Sequence, residues 1–432
     1  MTDSLRGTLP PVYQPLFGQF FDRPKVVETR ATCDNCVMCD SGQPSPVPME
    51  YFRSDTKCCT YHPQLPNYLV GAILADPAPE MEEGKRRVRE QIERRSGATP
   101  HWLNRPRKMS LILLGYGDAF GRAKSLLCPY FNGDDPAASC TIWRHREAVC
   151  MTYYCKYTAG KRGFDFWVSF KNYLWHVQRT LVRFAAQAVD PTVVEPAFKK
   201  HQLTLEDIED LPPKDSDYAA WWKSWVGREE EFYVRCWEWV KSIPQRQFAL
   251  NVDDTEAGKG YLGDLVAKYE HLQNRILPSR LVRNARMSEQ HVGDKVVVTT
   301  YHRYDSFALD KDLYEVVGMF RPSETLEENL ARLEAEGIEL APELIEFLYV
   351  TGVLVEPGAR PSSENVDPAT LKAKRSALAA VLRARKITID TRALEKVEKA
   401  GVAMLDQLIE RAATATTAAE IFGEEEPGAT SP

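Results

Sequence analysis

The sequence predicts an α+β fold that is mostly helical, and three observations carry the prediction. Apolar residues recur at intervals of three and four through the middle of the chain, the helical period. Strand-like texture is confined to Lys295-Val-Val-Val-Thr-Thr-Tyr301, Phe307 to Leu309 and Val353-Leu354-Val355. Nine of the ten cysteines fall between Cys33 and Cys155, which marks that third of the chain as a unit with its own chemistry. The expected order is a cysteine-rich domain (1–163), an aromatic-rich helical region (164–290), a winged-helix-like module (291–357), a linker with a helical hairpin (358–412) and a disordered tail (413–432).

Each element has a local reason. Met81 to Ser96 alternates in charge sign and reads as a solvated helix. Phe164 to Asp190 carries the stripe Phe170, Leu174, Val177, Leu181 and Phe184, with His176 one position off it as a packing or surface residue. Asp217 to Ser242 reads as a second helix, holding five of the nine tryptophans, and Cys236 lies on its apolar stripe, so it is assigned to the core and not to a site. Tyr261 to Leu277 is a third, with Leu265, Tyr269, Leu272 and Ile276 on one side.

Beyond Pro278 a strand, a partner strand, the helix Lys311 to Phe320, a capping box Thr325-Leu-Glu-Glu328 opening a helix, and a helix over Pro342 to Thr351 that stops at Gly352 give way to a short closing strand. That order is similar to PqqD-like peptide-recognition modules, which bind leader peptides by strand addition. The resemblance implies an exposed edge at Val296 to Tyr301. Pro357 to Pro368 reads as a linker, and Thr370 to Arg385 with Thr391 to Ala412 as an amphipathic hairpin whose face of Lys372, Lys374, Arg375, Arg383, Arg385 and Lys386 is solvated. Thr414 to Pro432 is small, polar and acidic, the texture of disorder.

Composition narrows the function. With 432 residues, 44% apolar and 27% charged, the chain is neither collagen-like, disordered nor a miniature disulfide scaffold. A net charge of -6 gives no overall pull on phosphate backbones, so nucleic acid is not the expected partner. No run reaches the roughly 18 apolar residues that span a bilayer, and MTDSLRGTLPPVYQP lacks the order of a signal peptide. A cytoplasmic address is expected, where clustered thiols are metal ligands or redox groups more often than disulfides.

The cysteines form two groups: Cys33, Cys36, Cys39, Cys58 and Cys59, then Cys128, Cys140, Cys150 and Cys155. The two-residue spacing of Cys33, Cys36 and Cys39 turns successive thiolates inward on one loop, a geometry that zinc sites and iron–sulfur clusters share. Thiolate count does not separate the two metals. Buried free cysteines that pack as small apolar groups are the alternative.

Cys140-Thr-Ile142-Trp143-Arg-His-Arg146-Glu-Ala-Val-Cys150, preceded by Cys128-Pro129-Tyr-Phe and followed by Cys155, resembles the second half of the YkgJ-type cysteine-cluster domain, a family described as zinc- or iron-chelating. Cys33, Cys36 and Cys39 match the family's first half, with Asp40 to Lys57 read as an insertion before Cys58 and Cys59, and Glu147 standing where the family has Pro. The resemblance covers about a third of the chain. It implies zinc or an iron–sulfur cluster on Cys33, Cys36, Cys39, Cys58, Cys59, Cys128, Cys140, Cys150 and Cys155, in one site or two, with Ile142 and Trp143 buried beside it and Arg146 bonded to a nearby carbonyl or carboxylate.

His62 and His145 lie within the same stretch and read as supporting or surface groups, since nine thiols already exceed one tetrahedral site. Arg144 and Arg146 would lower thiol pKa values or make ordinary salt bridges. Flagellin lysine N-methylases carry a similar cluster, which leaves a metal-dependent protein- or peptide-modifying enzyme as one alternative and a structural-zinc interaction scaffold as another. No glycine-rich loop supports a nucleotide-like cofactor; Leu113-Leu114-Gly115-Tyr116-Gly117-Asp118 reads as a turn. The expected function is metal binding with recruitment of a protein or peptide partner; no catalytic residue is assigned.

Overall fold

The computed structural model describes residues 3–42, 45, 47, 49–109, 112, 117–133, 139–197, 203–274, 276–358, 368–390, 393–394, 396–397, 400 and 402–422. The chain is about 51% helical with small antiparallel sheets, which fits a mostly helical α+β class. It divides into two compact units, Met1–Ala359 and Arg360–Pro432.

In the first unit, counting α-helices of five residues or more, the elements are β1 (Leu65–Pro66), α1 (Asn67–Ala75), α2 (Glu82–Glu93), β2 (Trp102–Leu103), β3 (Phe131–Asn132), β4 (Ser139–Cys140), α3 (Ala148–Thr152), α4 (Gly160–Val189), α5 (Asp215–Trp222), α6 (Glu229–Ser242) and α7 (Glu256–Gln273). They are followed by β5 (Val282–Arg283), β6 (Ser288–Val292), β7 (Lys295–Thr299), β8 (Phe307–Asp310), α8 (Lys311–Gly318), α9 (Leu326–Ala335), α10 (Pro342–Val350) and β9 (Leu354–Val355).

The spine is α4. Its buried stripe of Phe166, Phe170, Tyr173, Leu174, Val177 and Leu181 faces α7, α6 and α1, the 3.6-residue period placing these side chains on one side. Phe184, expected on that stripe, is instead partly exposed at its outer margin. The tightest crossing is α1 on α6. A Cβ at Gly71 would lie 2.0 Å from the Tyr233 carbonyl oxygen, so only glycine lets the two backbones meet. Cys236 is fully buried in this core, as expected.

Two differences from the sequence reading have plain causes. The helix expected over 217–242 is two helices, because Lys223 (φ 54°) and Gly227 (φ 79°) take left-handed conformations that interrupt it. Residues 5–21, which carry no clear period, nevertheless insert Leu5, Tyr13, Leu16, Phe17 and Phe21 into the core; the Phe17 ring lies 5.5 Å from that of Tyr173 and 5.4 Å from that of Phe248.

The 291–357 stretch contains the expected three helices and a second hydrophobic cluster built on Val296, Val298, Leu309, Val317, Leu333, Ile345 and Leu348. The capping box is present: the Glu328 amide donates to Thr325 Oγ1 at 3.1 Å, and the Thr325 amide to Glu328 Oε2 at 2.7 Å. The exposed edge expected at Val296 to Tyr301 is absent. β7 lies between β6 and β8, antiparallel to both, with Val292 opposite Lys295 across Gly293-Asp294. Gly293 at φ 61° supplies the tight hairpin that hides β7, and β6, whose five residues are all exposed, is the outer strand.

The second unit pairs α11 (Pro368–Ala384) with α12 (Val402–Thr414). Arg385 donates from Nε to the Ala415 carbonyl and from Nη2 to that of Thr414, closing the end of α12. Within the stretch expected to be disordered, α13 (Ala418–Phe422) buries Ile421 and Phe422 against the pair. Leu394, in the stretch that reads as the second helix of the hairpin, is exposed. The Pro357 to Pro368 linker from 359 to 367, the tail beyond 422, and Leu113-Leu114-Gly115-Tyr116 lie outside the described residues.

Candidate metal centre

The Cys33 to Cys39 loop closes on a turn in which the Cys39 amide donates to the Cys36 carbonyl at 3.0 Å, with Met38 buried beneath. The Asp40 to Lys57 insertion returns to the same place. The Phe52 amide donates to the Met38 carbonyl at 2.6 Å, and the Phe52 ring lies edge-on to Phe120 and Tyr304, 5.5 and 5.0 Å away.

Gly121 ties this loop to the next cysteines. Its carbonyl accepts from the Arg53 amide (2.9 Å) and Thr56 Oγ1 (2.8 Å), and its amide donates to Thr60 Oγ1 (2.7 Å). At φ 75° and with Phe52 ring atoms 2.2 Å from where a Cβ would stand, the position requires glycine. Lys57, left-handed at φ 49°, turns the chain just before Cys58 and Cys59, and its ammonium donates to the Cys33 carbonyl at 2.6 Å.

The second half is held by main-chain bonds. The Cys128 amide donates to the Cys59 carbonyl at 2.8 Å, and Cys140 pairs with Phe131 in the β3–β4 ladder. Arg87 of α2 supports this ladder through the carbonyls of Pro129 (2.9 Å) and Phe131 (2.8 Å). Glu147 caps α3, its two carboxylate oxygens accepting the amides of Val149 at 2.8 Å and Cys150 at 3.1 Å, and so fixes the helix start. Arg146 donates to the carbonyls of Trp143 (3.0 Å) and Cys150 (3.2 Å), as expected. Trp143, expected to be buried, is 52% exposed because it lies over the Arg146 guanidinium, 3.2 Å from ring centroid to Cζ, on the solvent side.

The nine cysteines gather in two adjoining sets. Cys36, Cys39, Cys58 and Cys155 pack together around Met38 and Phe52, with Cys33 beside them; Cys59, Cys128 and Cys140 pack against the main core, with Cys150 near the last two. Burial pushes the Cys33 thiol up to about 11, helped by Cys58 and Cys36 and opposed by Arg146 and Lys57. Burial and then Cys36 push Cys39 up to about 12. Cys58 goes the other way, held down because the Cys59 thiol shares a hydrogen bond with it. Among the described residues all of these cysteines are free thiols, and no three His, Cys, Asp or Glu side chains stand arranged to hold a metal ion. The donor chemistry suits zinc or an iron–sulfur cluster, soft sulfur from several loops in a partly buried place.

The histidines are occupied elsewhere. His62 Nε2 bonds the Leu126 carbonyl at 3.1 Å, and His145 Nε2 bonds Asp76 Oδ2 at 2.7 Å with both residues buried. Arg144 reaches the same Asp76 carboxylate at 3.5 Å, so its partner is a carboxylate and not a thiol.

One wall of the site has no signal in the cysteine spacing. His302 Nδ1 bonds the Cys155 carbonyl at 3.1 Å, and Asp305, 2% exposed, accepts from Arg30 (2.9 Å), the Tyr157 amide (3.1 Å) and the Tyr301 hydroxyl. An acid within an aromatic run, Tyr301-His302-Arg303-Tyr304-Asp305, was the available sign. Comparison of the chain with protein-family models, with curated proteins and with solved structures finds no match in any of the three.

Proposed function

We propose that the chain is a metal-binding protein that holds zinc or an iron–sulfur cluster through Cys33, Cys36, Cys39, Cys58, Cys59, Cys128, Cys140, Cys150 and Cys155, and recruits a peptide or protein partner. What supports this most is that nine free thiols from sequence-distant loops meet beside one another, although no disulfide draws them together. Packing alone would not call for so many thiols in one place; most core positions in this unit are aromatic or aliphatic. Bound zinc would cross-link the loops, whereas a cluster would add electron transfer.

The chain's own contribution is to hold the ligands. Arg146 and Lys57 place positive charge where metal-bound thiolates would carry negative charge. Partner recruitment is supported by the exposed outer strand β6. This reading goes with a reducing, cytoplasmic compartment, in which the thiols stay available for metal.

The test is anaerobic purification followed by metal analysis and an absorption spectrum. Stoichiometric iron with a band near about 400 nm, or stoichiometric zinc without colour, is expected. A chain that carries neither metal and fails to take up either on reconstitution overturns the proposal.

A further inference from the structure

A cavity of about 280 Å³ opens beside Glu147, the cap of the helix that bears Cys150. Helix α4 contributes Trp175, Arg179 and, one turn on, Arg183, which the helical repeat places in a row. Arg105, just after β2, faces them, donating to the His62 carbonyl at 3.4 Å with its guanidinium 5.0 Å from the Tyr61 ring centroid. Trp102 completes the rim, its indole N–H donating to Glu195 at 3.3 Å. The floor is Glu147, whose carboxylate already accepts the two amides that open α3.

Among the described residues none of the three guanidinium groups has an ion pair, although salt bridges occupy many arginines elsewhere in this chain. A single arginine without an ion pair is ordinary. Three that share one recess with two indoles and a phenol are the arrangement that grips an oxyanion and stacks a flat ring, because the guanidinium fork matches carboxylate and phosphate oxygens and its face lies on aromatic surfaces. The lining sets these three guanidinium groups against the carboxylates of Glu147, which is held by two amides, and Glu195, which accepts from Trp102.

We propose that this cavity binds a small anionic molecule, a carboxylate or phosphate ester carrying one planar ring, with Arg105, Arg179 and Arg183 on the oxyanion and Trp102 and Trp175 on the ring. The volume admits one ring and its acid group and little more. Since Glu147 is both the floor of the cavity and the cap of the helix that bears Cys150, a bound molecule would stand one side chain away from the second thiol set. Binding itself does not depend on the metal reading.

Calorimetric titration of the full chain, as purified, with phenyl phosphate, benzoate, inorganic phosphate and uncharged benzyl alcohol tests the proposal. Phenyl phosphate or benzoate should bind at least about tenfold more tightly than benzyl alcohol, and which of the two is tighter identifies the acid group. The R179Q/R183Q double variant replaces two exposed side chains outside the core; it should melt as the parent does and lose at least about tenfold in that affinity. The W175A variant should weaken the ring-bearing anions while leaving inorganic phosphate unchanged. Anions binding no better than benzyl alcohol, or a double variant binding as the parent does, overturns the proposal. Metal content, measured separately, tells this failure apart from failure of the metal reading.

Discussion

The main-chain amide of Cys128 donates to the carbonyl of Cys59 at 2.8 Å, joining the two halves of the cysteine pattern through backbone and not through sulfur. Main-chain bonding therefore joins the two groups of thiols without calling on any metal bond.

On the proposed function, replacing the side chain at that junction should separate metal retention from folding. Cys128→Ser keeps the amide bond to Cys59 and puts a hydroxyl into a buried place, at a cost of about 1–3 kcal/mol. Unfolding should stay cooperative with a lowered midpoint while metal content falls; circular dichroism on heating and metal analysis of the same sample read the two effects.

Arg146→Ala removes two hydrogen bonds to carbonyls and the contact with Trp143 without removing a thiol. Metal should be lost to a chelator on the order of tenfold faster. Lysine at this position keeps the charge but not the fork, and should restore only part of the retention.

Gly71→Ala should destabilise the first unit by about 3 kcal/mol or more, because the added methyl would stand 2.0 Å from a backbone oxygen and α1 and α6 would have to part. Urea denaturation should show an earlier midpoint with little change in slope.

Acid should weaken the first unit through His302. Burial among aromatic rings depresses its pKa to about 4 despite the nearby Asp305 and the bond to Cys155, with Arg303 and Lys156 also lowering it. A depressed folded-state value means that the stabilisation is complete above the unfolded value of about 6.5 and is lost as pH falls from there toward 4. The loss approaches about 3 kcal/mol at pH 4. His302→Gln should flatten that limb in melting curves recorded between pH 7 and pH 4.

Periodic or capped elements could be read from the sequence. The long aromatic helix, the Thr325 cap and the buried Cys236 follow from spacing that local physics enforces. What escaped was tertiary. Residues 5–21 have no period because they wrap the core as turns, and their burial depends on partners as distant as Phe248. The hairpin at Gly293-Asp294 hid inside a run that also reads as one strand and a loop, so the edge was assigned to the wrong strand. At the site, the motif that carries the resemblance foretold the carbonyl bonds of Arg146, but it gave no sign that His302 and Asp305 lie beside Cys155 or that Trp143 faces outward as the cover of Arg146.

The gathering of thiols has a consequence for how the chain is made. Cys33, Cys36 and Cys39 leave the ribosome well before Cys155 can join them and earlier still than His302. At about 5–20 residues per second, the interval from the first thiol to the last, 155 − 33 = 122 residues, spans roughly 6–24 s. During that time the early thiols have neither their sulfur neighbours nor the wall that shelters them, so they are most open to oxidation or to a wrong metal while the protein is unfinished. On the proposed metal-binding function, the yield of loaded protein should therefore follow the redox state and metal supply during synthesis more closely than any later treatment of the folded chain.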